Sequence, residues 1–104
     1  MQSITAAALK QRLEQKEELQ LVDVREAFEH DAFHIGGELV PLGEINARIA
    51  EISKDKPVVV YCRKGIRSQI AIQRLLDKYP FTNLLNLEGG IEAWKAAFGA
   101  GNTR

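Results

Sequence analysis

The sequence predicts an α/β domain, a central and mostly parallel sheet of about five strands with helices on both faces. Three observations predict it. Short apolar runs alternate with stretches of helical periodicity along all 104 residues. Val58-Val59-Val60-Tyr61 is β-branched and apolar on both faces, the pattern of a strand buried inside a parallel sheet. The length fits one small domain, residues 1–104, and no linker, repeat or low-complexity segment interrupts it.

Taken in order, Thr5 is a suitable cap for a helix that carries Leu9 and Leu13 on one face. Leu19 to Val24 reads as a strand. Glu26 to Phe33 is a short amphipathic piece closed by Gly36-Gly37, and Leu39-Val40-Pro41 reads as a short strand. Leu42, Ile45, Ile49 and Ile52 recur at helical spacing until Lys54-Asp55-Lys56-Pro57 breaks the pattern. After the strand Val58 to Tyr61 comes a helix with a core face of Ile72, Leu75, Leu76 and Tyr79, ended by Pro80. Leu84 to Leu87 is the next strand, and Ile91, Trp94 and Phe98 mark the last helix, with Trp94 in its core stripe. Residues 98–104 are expected to fray.

Composition narrows the function. Fourteen Lys plus Arg balance fourteen Asp plus Glu, so no nucleic-acid partner held by bulk charge is expected. One Cys excludes an internal disulfide framework and zinc sites built on several thiolates, and it suggests a reducing compartment. The N-terminus lacks the cationic start and apolar stretch of a signal peptide. The longest aliphatic and aromatic run, Val58 to Cys62, is too short to span a bilayer. A cytoplasmic location, no membrane partner, and a monomer or weak homodimer are the expectations.

In open parallel sheets, ligands bind beyond the carboxyl ends of the strands. The segments leaving those ends are Asp23 to Glu26, Cys62 to Ser68, and Glu88 to Gly90. The second holds the one Cys and three cations without an acid: Cys62-Arg63-Lys64-Gly65-Ile66-Arg67-Ser68. It joins a buried strand to a helix N-terminus, where free amides attract anions and lower the pKa of a thiol. Gly65 allows the curl that turns successive amides inward. This is the setting of an activated nucleophile. A Cys that merely ends a core strand, with solvated cations around it, would leave that clustering unexplained.

Three blocks of residues resemble the rhodanese family across nearly the whole chain. Leu21-Val22-Asp23-Val24-Arg25-Glu26 is similar to its strand-ending signature. Cys62 to Ser68 is similar to its active-site loop, Cys-x-x-Gly-x-Arg-Ser. Leu87-Glu88-Gly89-Gly90 with Trp94 is similar to its closing block. The resemblance implies a rhodanese-like fold and sulfur transfer with no cofactor, the sulfur riding as a persulfide on Cys62. A small anionic donor such as thiosulfate would load it, and cyanide, a thiol or a partner protein would accept it. Arg63, Lys64 and Arg67 would draw in the anion, though Arg67 could equally brace the loop. Ser68 would bond the sulfur or, preferably, cap the helix. Asp23 and Arg25 would support the cleft through loop amides and an ion pair. Gly89 and Gly90 would permit close backbone approach.

Two other functions stand beside this one. A non-catalytic binding module could use the same cleft, but it has no chemical need for the Cys, Gly and Arg of the loop. Cysteine phosphatases and arsenate reductases use Cys-x5-Arg, one residue longer than the Cys-x4-Arg here. The usual Gly-His-Ile-Pro-Gly-Ala block of the rhodaneses appears as Phe33-His34-Ile35-Gly36-Gly37-Glu38, with Pro41 one residue early, which puts the cleft rim in doubt. His30 and His34 lie four apart, but no third ligand accompanies them, so no metal is expected and His34 is assigned to fixing the turn.

Overall fold

A computed structural model describes residues 1–100. Its elements are β1 (Ser3–Ile4), α1 (Ala6–Glu14), β2 (Gln20–Asp23), α2 (Ala27–Ala32), β3 (Glu38–Leu39), β4 (Val58–Tyr61), α3 (Arg67–Lys78), β5 (Leu84–Leu87) and α4 (Gly90–Phe98). The five strands form one sheet in the order β1-β5-β4-β2-β3. Every pairing is parallel, so the sheet is wholly rather than mostly so.

β4 lies in the middle of the sheet. Its residues pair with Gln20 to Asp23 on one side and with Leu84 to Asn86 on the other. All four of its side chains are buried. Because strand side chains alternate, Val58 and Val60 join a core with Ala71, Ile72 and Leu75 of α3. Val59 and Tyr61 join a second core with Leu9 of α1 and Ile91 and Trp94 of α4. Cys62 continues the Val58–Val60 face and so reaches α3. The predicted cap of α1 is in place, with the Ala8 N–H donating to Thr5 Oγ1 at 3.1 Å.

Four expectations need correction. β1 went unread, because two residues carry no period. The helix expected from Leu42 to Ile52 is two separate 3₁₀ turns, Leu42–Glu44 and Ile49–Glu51. Three residues per 3₁₀ turn satisfy the same apolar spacing, and Ile45 and Ile52 are buried as the pattern required. Leu76 and Tyr79 are exposed, since the buried stripe of α3 is Ser68, Ala71, Ile72 and Leu75. Phe98 is not frayed: it ends α4 and packs edge-on against Trp94 at 4.9 Å. Gly99 caps α4 through its N–H to Lys95 O at 2.8 Å, and residues 101–104 of the expected tail lie outside the described residues. No helix among the described residues is long and apolar enough to cross a membrane.

Candidate active site

Cys62 leaves the carboxyl end of the central strand and is 1% exposed. The next residues curl around its sulfur. Gly65 takes φ +94°, a conformation that favours glycine, and its N–H donates to Cys62 Sγ at 3.1 Å. The Ser68 N–H, in the first turn of α3, donates to the same sulfur at 3.4 Å, and Ser68 Oγ lies 3.5 Å away. Burial acts to raise the Cys62 thiol. Hydrogen bonds from the Ser68 hydroxyl and from the amides of Ser68, Gly65 and Lys64 outweigh it and hold the thiol below its ordinary value.

The loop sorts its polar groups by direction. While amides face the sulfur, carbonyls face α4: Cys62 O accepts the Ile91 N–H at 2.9 Å and Arg63 O accepts the Glu92 N–H at 3.0 Å. The free amides of the α4 N-terminus are therefore satisfied by the loop rather than by an anion. This contact explains the paired glycines. A Cβ on Gly90 would stand 2.6 Å from the carbonyl carbon and oxygen of Arg63 and closer still to Cys62 O. Gly89, at φ +71°, is the cap residue before α4 and lies beside Gly65, whose own Cβ would lie 3.2 Å from Gly89 N.

The cations are less free than the loop sequence suggested. Arg67 makes a two-pronged pair with Glu29 of α2 at 2.8 and 2.9 Å, so it braces the loop. Those bonds from Arg67, helped by the Glu26 N–H and opposed by burial, hold the Glu29 carboxyl down to about 2. Arg63 pairs with Glu92 at 3.0 Å on the exposed rim. Lys64 is the one loop cation with no carboxylate partner among the described residues. With Cys62, Arg63, Ile66 and Arg67 it lines an open cleft of about 230 Å³ at the thiol.

Asp23 does not bond the amides of the Cys62 loop. It is fully buried and takes the guanidinium of Arg25 on both carboxylate oxygens, with the Arg25 N–H at 3.0 Å and His30 Nδ1 at 2.9 Å. Arg25, also buried, reaches on to the Phe33 carbonyl at 2.6 Å. This pair is the buttress behind α2. Ser68 is a correction too. α3 begins at Arg67 with Ile66 as its cap residue, and the buried Ser68 hydroxyl donates inward to Asn86 Oδ1 of β5. His34 does fix its turn, accepting the Gly36 N–H at Nδ1 at 2.9 Å, and stacks on His30 with ring centres 4.1 Å apart.

Four contributors were missed in the sequence: Glu29, His30, Tyr61 and Asn86. The Tyr61 hydroxyl donates to Gly36 O at 2.9 Å and so ties the altered rim segment to the central strand. A signal existed for Asn86, which is the lone polar residue in the apolar run Leu84-Leu85-Asn86-Leu87.

With this geometry in view, residues 5–97 match the family model of the rhodanese-like domain. The chain belongs to that family. A sulfurtransferase of Allochromatium vinosum is 39% identical over 97 residues, covering 88% of this chain and 85% of that protein. The thiosulfate sulfurtransferase GlpE of Coxiella burnetii is 34% identical over 85 residues, covering 81% and 78%. The crystal structure of a rhodanese-related protein from Thermoplasma volcanium matches with a TM-score of 0.84 at 28% identity over the whole of both chains. Other relatives are longer. This rhodanese-like chain spans 24% of the probable adenylyltransferase/sulfurtransferase MoeZ of Mycobacterium tuberculosis, at 37% identity, and 49% of the putative sulfur carrier protein YrkF of Bacillus subtilis, at 34%.

Proposed function

We propose that the chain is a sulfurtransferase that carries a sulfane sulfur as a persulfide on Cys62. The observation that carries this reading is the sulfur itself: a buried thiol held below its ordinary pKa by inward amides, open to a small cleft. The Cys62 thiolate attacks the outer sulfur of a donor such as thiosulfate. The sulfur–sulfur bond of the donor breaks, sulfite leaves with the bonding pair, and the enzyme keeps Cys62–S–S⁻. An acceptor nucleophile then takes the terminal sulfur and restores the thiolate; with cyanide the product is thiocyanate. Both steps exchange one sulfur for one electron pair, so no redox cofactor enters. The amides that hold the thiolate can also hold the anionic outer sulfur once it forms.

With one Cys in the chain, no second thiol of its own can resolve the persulfide. The acceptor is external, a small thiol or a protein, in a reducing compartment such as the cytoplasm. The names of the longer relatives, a sulfur carrier among them, support a protein acceptor. A phosphatase reading loses support because Arg67, which would have to clamp a phosphate, is locked on Glu29.

The test is incubation with thiosulfate. It should add the mass of one sulfur at Cys62, and later cyanide should release thiocyanate. Cys62→Ser should abolish both, while His34→Ala should keep substantial turnover. No mass gain and no thiocyanate from folded protein would defeat the proposal.

A further inference from the structure

Ser68 has one hydroxyl proton and two neighbours that can use it. On one side is Cys62 Sγ at 3.5 Å, and on the other is Asn86 Oδ1, to which the hydroxyl donates. Ser68 is fully buried and Asn86 nearly so, so solvent cannot make up a missing partner. Strand alternation explains the meeting. Leu84 faces the α3 core, so Asn86, two residues on, faces it as well, and its register partner Val60 precedes Cys62 on the same face.

We propose that Asn86 is a positioning residue: its side-chain amide decides which way the Ser68 hydroxyl points, and thereby whether Cys62 Sγ meets an acceptor or a donor. With Oδ1 toward Ser68, the hydroxyl proton goes to Asn86, and Ser68 Oγ is left to accept the S–H of a neutral thiol. When the thiol ionises, its proton leaves to water and Sγ requires a donor instead. The Ser68 hydroxyl then turns to the sulfur. Asn86, by turning its amide over, presents Nδ2–H to Ser68 Oγ, so no buried group is left unpaired. A Ser or Thr at position 86 could donate and accept in the same way; an ionised carboxylate could only accept.

This inference deepens the proposed sulfur transfer, for which it supplies a device that follows the charge. Once Sγ becomes the inner atom of a persulfide, the negative charge passes to the outer sulfur, and the hydroxyl is released back to Asn86. The charged groups around the sulfur are committed elsewhere: Arg67 to Glu29, Arg63 to Glu92, and Asp23 to Arg25 and His30, while Lys64 belongs to the loop itself. The variants below leave all of them in place.

The test is the pH dependence of iodoacetamide alkylation, which reports one thiol because the chain has one Cys. Asn86→Leu removes the competitor for the hydroxyl and should move the alkylation midpoint down. Asn86→Asp, accepting only once ionised, should move it up by about one pH unit, the size of one hydrogen bond to a charged group. Ser68→Ala should raise the midpoint, and combined with Ser68→Ala the Asn86→Leu change should have no effect. Equal shifts for Asn86→Leu and Asn86→Asp, or shifts of the same size with and without Ser68, would overturn the proposal. The Asn86→Leu and Ser68→Ala pair decides the matter even if the buried Asp prevents folding. Alkylation needs no sulfur donor, so this coupling can fail while sulfur transfer stands, or survive while it falls.

Discussion

Replacing Gly90 by Ala places one methyl group against the backbone of the Cys62 loop. The new Cβ would lie 2.6 Å from both the carbonyl carbon and oxygen of Arg63, where about 3.5 Å is a comfortable separation. Neither atom belongs to a flexible side chain that could swing aside. The φ of +58° adds a left-handed cost of roughly 1–2 kcal/mol for a residue with a Cβ. Relief of the clash moves α4 off the loop and weakens the bonds from Ile91 and Glu92 to Cys62 O and Arg63 O, each worth about 1 kcal/mol. Together with about 1–3 kcal/mol for overpacking, and with those two bonds half lost, the loss should reach roughly 3–6 kcal/mol, a large share of the stability of a small domain. Urea unfolding measures it directly, and Gly43→Ala is the control. Gly43 has nothing within 4 Å of its Cβ position and should change stability by less than about 0.5 kcal/mol. Alkylation of Cys62 should also move to higher pH in Gly90→Ala, because the loop that presents the amides has been displaced. A Gly90→Ala loss below about 1 kcal/mol would refute the argument that this contact shapes the loop.

Four further outcomes follow from other parts of the site. Asp23→Ala leaves the buried Arg25 guanidinium without its carboxylate and should cost about 3–5 kcal/mol in denaturant unfolding, far more than removing an exposed pair. The Glu29 carboxyl is lowered from 4.5 to about 2 on folding, so its contribution is fully present above pH 4.5 and is lost as pH falls toward 2. Solvent screening at this partly open pair limits that contribution to about 1 kcal/mol, and Arg67→Gln should flatten the acid limb of a stability–pH curve accordingly. Tyr61→Phe removes the donor to Gly36 O and should cost about 1–2 kcal/mol by thermal or urea unfolding. Burial and the nearby Asp23 charge raise the Tyr61 phenol, so its phenolate absorbance in the native protein should appear only together with alkaline unfolding.

The parts of the molecule legible in the sequence are those that local chemistry decides. The all-apolar run Val58 to Tyr61 can only be a central strand, and Cys62 to Ser68 announces a curled loop through its Cys, Gly and cations. The segment Leu42 to Ile52 misled because apolar spacing reports burial, and two 3₁₀ turns bury Ile45 and Ile52 as well as a helix would. What could not be read is who neutralises whom. Glu29 stands 38 residues before Arg67, and Glu92 29 residues after Arg63, so their pairing exists only once the fold brings α2 and α4 beside the loop. Ser68 was assigned to capping because Ser is a good cap, and the tertiary partner Asn86 overrode that preference.

The contact between α4 and the Cys62 loop has a consequence for the order in which the protein is made. Val58 to Ser68 leaves the ribosome well before Asn86, Ile91 and Glu92 do. Until those residues arrive, nothing holds the carbonyls of Cys62 and Arg63 outward, and the amides have no fixed direction in which to face. A nascent chain that stops short of α4 should thus carry a thiol without those fixed amides, and the lowered pKa of Cys62 should come only with the closing residues of the fold. Alkylation of Cys62 should accordingly begin at lower pH in the completed domain than in the unfinished polypeptide.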